Sequence, residues 1–181
     1  MDDYLARQYE RFRRMPLSAP PTPWRHVATH GVGGLASVGF GEGGELLLVE
    51  STDGCGVFDC ASGARVARDR EHNASWEDTV RLRCAGIGPL AGQVVRMAGL
   101  HGGGLPTFTV DGWDLEVVCP DWPAAEIILC GPSNDLWQPD RAAGCAKVCH
   151  VEYLRACGFS DSGRSFAVAE GSHTLYLFHR P

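Results

Sequence analysis

LASVGFGEGGELLLVESTDGCGVFDC, residues 35–60, holds three short apolar runs separated by Gly-Glu-Gly-Gly and by Asp-Gly. Each run is too short for a helix and is closed by turn residues, so the stretch predicts antiparallel strands at 35–40, 45–50 and 55–59. The same texture continues outward, predicting strands at 64–68, 79–84, 93–99, 107–110, 114–119, 125–130, 147–151, 154–159, 165–169 and 174–179. No long helical stripe interrupts them. The expected fold class is all-β, built of antiparallel sheets, with residues 26–181 as a single β-rich domain. CGPSNDLWQPDRAAGC, residues 130–145, reads as a loop with a turn of helix near Asp140 to Ala143.

Residues 1–25 form a distinct arm. Tyr4, Leu5, Gln8, Tyr9 and Phe12 recur at helical spacing, which predicts one N-terminal helix over 3–14, ended by Pro16. The following PLSAPPTPW is an extended connector expected to lie along the surface of the main domain.

The chain has 181 residues, 44% hydrophobic and 21% charged, which suits one folded domain. Its net charge is -6, and Lys147 is the sole lysine beside fifteen arginines. That balance points away from nucleic acid and toward a basic partner. No apolar run reaches the length of a membrane span, and the charged N-terminus lacks a signal core, so the expectation is no membrane association and a cytoplasmic location. With nothing implying export, most of the eight cysteines are expected as free thiols, with Cys119, Cys130 and Cys157 as small buried hydrophobes.

Residues 35–63 can be laid on 154–181. Gly39-Phe40 then falls on Gly158-Phe159, Gly44 on Gly163, and Leu47 to Val49 on Phe166 to Val168. After a one-residue slip, Val57-Phe58-Asp59 matches Leu177-Phe178-His179. Phe159-Ser160-Asp161-Ser162-Gly163, Asp53-Gly54 and Val57-Phe58-Asp59 resemble elements of the WD40-type β-propeller repeat. The departures are Phe in place of Trp, a first turn without its Ser and Asp, and no Gly-His dipeptide opening each blade. The resemblance implies a protein that scaffolds interactions. Since a seven-bladed ring needs roughly 280 residues, it also implies a small or incomplete propeller-like arrangement. Uncovered strand edges in such an arrangement suit a homodimer.

Several motifs lack the context their chemistry needs. His101-Gly102-Gly103-Gly104 matches an esterase oxyanion loop, but no Gly-x-Ser-x-Gly elbow accompanies it. Gly31-Val32-Gly33-Gly34-Leu35-Ala36 fits a loose dinucleotide pattern, yet a strand rather than a helix follows. Cys145, Cys149 and His150, with Cys130 upstream, are the strongest metal candidates, but the spacing is loose and a strand directs Cys149 and His150 to opposite faces. No metal and no cofactor is expected.

GLHGGGLPTFTVDGWDLEVVCPDWP, residues 99–123, carries the site prediction. It reads as a hairpin turning at Asp-Gly, with a returning strand rich in acids and an irregular PDWP segment after it. Asp111, Trp113, Asp114, Glu116, Asp121 and Trp122 are the expected binding residues, because aromatic anchors beside carboxylates suit a basic protein surface. The competing reading for Trp113 and Trp122 is plain core packing. The expected function is a non-enzymatic protein-binding module. For a bacterial chain, which the Gly-rich turns and Arg usage suit, that becomes an immunity, inhibitor or adaptor protein. The alternatives are a hydrolase-type enzyme with a site assembled from scattered His, Cys and Asp, and a sugar or small-ligand module using Trp113, Trp122 or Trp137.

Overall fold

The glycine-punctuated runs do form strands. A computed structural model describes residues 3–71, 76–171 and 173–181. The first half of the chain contains α1 (Asp3–Arg14), β1 (Arg25–Gly31), β2 (Leu35–Phe40), β3 (Leu46–Ser51), β4 (Gly54–Asp59), β5 (Arg65–Asp69), β6 (Trp76–Asp78) and β7 (Arg83–Ala85). The second half contains β8 (Val94–Arg96), β9 (Ala98–Gly99), β10 (Asp114–Val118), β11 (Ala125–Cys130), β12 (Cys145–Val151), β13 (Leu154–Phe159), β14 (Ser165–Glu170) and β15 (Thr174–His179). The strands form four antiparallel sheets, ordered β5-β4-β3-β2-β9, β6-β7-β8, β10-β11-β12 and β1-β15-β14-β13, and none closes into a barrel. The fold is therefore all-β with one N-terminal helix.

The internal echo has a structural counterpart. Phe40 pairs with Leu47, Gly39 with Leu48 and Val38 with Val49, with a bulge between Leu35 and Ser37. Phe159 pairs with Phe166, Gly158 with Ala167 and Cys157 with Val168, with a bulge between Leu154 and Ala156. The one-residue slip arises because β14 and β15 are separated by one residue more than β3 and β4. A Cβ on Gly39 would collide with the Arg96 carbonyl, and one on Gly158 with the Pro106 carbonyl. The same position is thus glycine in both meanders because another segment crosses it closely.

Strands buried on both faces explain the continuous apolar runs. From β14, Phe166 and Val168 point toward Trp24, Trp113, Leu115, Ile127 and Leu129, while Ala167 and Ala169 point toward Val38, Leu47 and Phe58. The alternate face of β3 and β4 brings Leu48, Cys55 and Val57 against Cys84, Val95 and Met97. Helix α1 covers the outer face of the β10-β11-β12 sheet, with buried Phe12 among Val118, Ile128, Cys130 and Leu136. Among the described residues no hydrophobic cluster joins the β6-β7-β8 sheet to the β10-β11-β12 sheet.

Four expectations need correction. The strand expected at 79–84 begins only at Arg83, because Asp78 Oδ1 accepts the N–H groups of Val80 and Arg81 and folds a turn. The strand expected at 107–110 shrinks to one bridge, Phe108 to Asp114. β1, unforeseen in RHVATHG, takes its conformation from pairing with β15. Cys130 and Cys145 are not free thiols: they face each other across β11 and β12, Cα atoms 4.0 Å apart, and form a disulfide. No described helix is long and apolar enough to cross a membrane.

The Phe166 ring stacks on Phe178 at 4.3 Å and meets Trp24 edge-on at 5.0 Å, with no exposed surface. Phe166→Ala is expected to lower the unfolding free energy by about 3–5 kcal/mol, read from urea denaturation.

Candidate functional site

Residues 107–115 turn back on themselves at Asp111-Gly112, as expected, but only β10 is a strand and a single bridge, Phe108 to Asp114, joins the two arms. Gly112, at φ +90°, donates its N–H to the Thr109 carbonyl at 3.0 Å, and Thr109 Oγ1 accepts the Trp113 N–H at 2.9 Å. β10 returns as an edge strand of its sheet. Because strand residues alternate in direction, Trp113 and Leu115 enter the core while Asp114 and Glu116 take the other face.

The six expected residues separate into four environments. Trp113 is buried, edge-on to Trp24 at 5.9 Å, and anchors the hairpin. Asp111 is held by Arg180, whose Nη1 and Nη2 lie 2.5 and 2.8 Å from its carboxylate oxygens. That guanidinium also donates to the Gly163 carbonyl at 2.9 Å and lies 4.9 Å over the Trp24 ring. The Arg180 hydrogen bonds keep the Asp111 carboxyl well below the usual carboxylate range. Asp121 is likewise gripped by Arg13, with Nε 2.9 Å from Oδ2 and Nη2 2.9 Å from Oδ1. Trp122 is 83% exposed on the irregular segment after β10.

Asp114 and Glu116 differ from these paired acids. Both are half-buried, and Asp135, from the loop after β11, adds a third carboxylate close enough to act on Asp114. Burial first, then repulsion from Glu116 and Asp135, pushes the Asp114 carboxyl up to about 6. Asp135 is fixed by the Trp137 N–H at 2.9 Å and the Gln138 amide at 2.8 Å. No ion pair among the described residues neutralises the cluster. Phe108, the bridge partner of Asp114, is 64% exposed, and Val110 at the hairpin tip is fully exposed.

Sequence reasoning missed Phe108, Val110, Asp135 and Arg180. Phe108 and Val110 lie in PTFTV, whose alternation is that of a core strand, and Asp135 reaches the site only through loop folding.

A second polar cluster, Ser165, His179 and Glu45, does not have the geometry of an acyl-transfer triad. Ser165 Oγ lies 3.0 Å from His179 Nδ1 and donates to Glu45, but Glu45 Oε2 is 3.4 Å from the same Nδ1. An acyl-transfer triad uses opposite ring nitrogens for serine and acid, and Ser165 is wholly buried. Burial alone would raise the Glu45 carboxyl, yet the Ser165 and Ser162 hydroxyls outweigh it and hold that carboxyl low. The cluster clamps the turn before β3 to the one before β14. Gly102 and Gly103, at φ +105° and +85°, make HGGG a turn. Cys149 faces the core, His150 is exposed, and Cys130 and Cys145 are bonded to each other, so the metal candidates do not converge. Compared with known proteins, the chain matches no family model and no curated relative.

Two measurements test this description. Arg180→Ala removes the ring contact, the Gly163 bond and the Asp111 pair, and is expected to cost about 2–4 kcal/mol in urea denaturation, with Arg180→Lys restoring only part because it lacks the planar fork. Asp114 binds its proton more tightly folded than unfolded, so its contribution to stability is full below about pH 4 and is lost as pH rises through about 6. Asp114→Asn should therefore gain about 1 kcal/mol on the wild type between pH 4 and 7, a figure discounted for the half-exposed carboxyl.

Proposed function

We propose that this chain is a non-enzymatic protein-binding module that engages a basic partner through the β10 edge. The observation that carries the reading is the cluster of Asp114, Glu116 and Asp135, three carboxylates with no ion-pair partner among the described residues. Lys or Arg side chains from a partner relieve that repulsion, and exposed Phe108 beside Asp114 supplies apolar contact. Asp111 and Asp121, already neutralised by Arg180 and Arg13, position the surface. Trp122 offers a separate exposed aromatic anchor.

The sharper form of the reading is a bacterial immunity, inhibitor or adaptor protein acting in the cytoplasm on a basic target. The WD40 resemblance belongs to the same proposal: the four sheets are blades of an open ring. Its support is the shared register of the two meanders and the face-to-face packing of successive sheets.

Affinity capture by the wild type and by Asp114→Asn/Glu116→Gln, followed by identification of the bound protein and titration from purified components, tests the function. The expected result is a basic partner whose affinity falls at least about tenfold in the variant, in line with loss of charge-assisted hydrogen bonds. Equal binding by both proteins overturns the proposal.

A further inference from the structure

A second concave site lies on the β5-β4-β3-β2-β9 sheet, apart from the acidic hairpin. Its volume is about 180 Å³, and Gly31, Gly33, Asp53, Gly56, Arg65 and Arg68 are among its walls. Gly31 ends β1, Gly33 lies in the connection from β1 to β2, and Arg65 and Arg68 come from the outer edge strand β5.

The glycines are informative because the fold does not demand all of them. Gly54, which also lines the cavity, has φ +99° and stands against the backbone of Asp69 and Arg70, so its turn requires glycine. Gly31 and Gly33 adopt ordinary φ values. A Cβ on Gly31 would meet nothing within 4 Å, and one on Gly33 only Asp53 Oδ2 at 3.9 Å. Any ordinary residue fits the backbone there. What glycine provides at both positions is open space.

The arginines are equally unaccounted for. Arg13, Arg81, Arg164 and Arg180 each have a carboxylate within ion-pair distance. Arg65 and Arg68 have no such partner among the described residues, although both line the same hollow. The Arg65 stem passes 3.7 Å from the position of a Cβ on Gly56, an ordinary contact distance that places the stem along this wall. Two planar forks without a carboxylate partner among the described residues, on side chains that line one cavity, match the oxygens of a phosphate or carboxylate. The volume is near that of cavities of about 150 Å³ that hold one benzene, which limits the occupant to a small headgroup.

We propose that this cavity is a binding site for a small oxyanion, a phosphate or carboxylate group held between Arg65 and Arg68, with the Asp53 carboxylate of the same lining opposing it. The site is independent of the acidic hairpin, and its test does not involve the partner of that hairpin.

The test is titration of the full chain with sodium phosphate and, separately, sodium acetate at constant ionic strength, read from backbone amide NMR shifts. Saturable shifts centred on Gly31, Gly33 and Gly56 are expected, and the tighter of the two probes identifies which oxyanion the site takes. Arg65→Gln and Arg68→Gln should each weaken binding about tenfold, and Asp53→Asn should strengthen it. Gly31→Val adds a side chain to the lining where a Cβ meets nothing within 4 Å, and should abolish binding with an unchanged melting curve. The proposal is overturned by affinity that survives both arginine substitutions, by shifts that sodium chloride reproduces, or by no saturation with either probe below about 50 mM.

Discussion

The ladder between β1 and β15 fixes the rest of the molecule. It pairs Arg25 with His179 and Gly31 with Thr174, joining segments about 150 residues apart in the sequence. Closing so long a loop costs little more than closing one half as long, because the entropy grows only with the logarithm of length. The return is large. Trp24 immediately precedes β1 and is thereby delivered into contact with Trp113, Phe159 and Phe166. Arg180 immediately follows β15 and lies over Trp24 while holding Asp111. The hairpin that presents Asp114 is therefore oriented by two residues that flank one end of that strand pair.

What the sequence revealed of the fold depends on where each strand's information resides. β3 and β14 have neighbours on both faces, so their own residues declare them: LLLVES and SFAVAE are apolar almost throughout. Their repeated register was visible as well, since the same bulge and the same crossed glycine recur. β1 was not legible because RHVATHG has one large aliphatic residue and only partial burial. Its strand state is imposed by β15, and no local pattern records that. The Cys130–Cys145 bond was hidden for a related reason: only the return of the chain after residues 131–144 places those thiols on adjacent strands.

The candidate site was legible in its location and not in its chemistry. Alternation along β10 separated Trp113 from Asp114 and Glu116, as the structure shows. Asp111, Asp114 and Asp121 look alike in the sequence, and what distinguishes them is distant. Asp121 meets an arginine 108 residues away, Asp111 one 69 residues away, and Asp114 meets two further carboxylates. Charge balance is a property of tertiary contacts, so an acid-rich segment shows where electrostatics concentrate but not which charges remain unpaired.

The β1–β15 pairing also bears on assembly. A contact of such high sequence separation forms late, and until it forms β15 presents an open edge. The arm that must cover it comprises α1, the proline connector and β1, and it is joined to the remaining sheets through the glycine-rich link at residues 31–34. Docking of the arm therefore closes the β15 edge and brings Trp24 into the core in the same step.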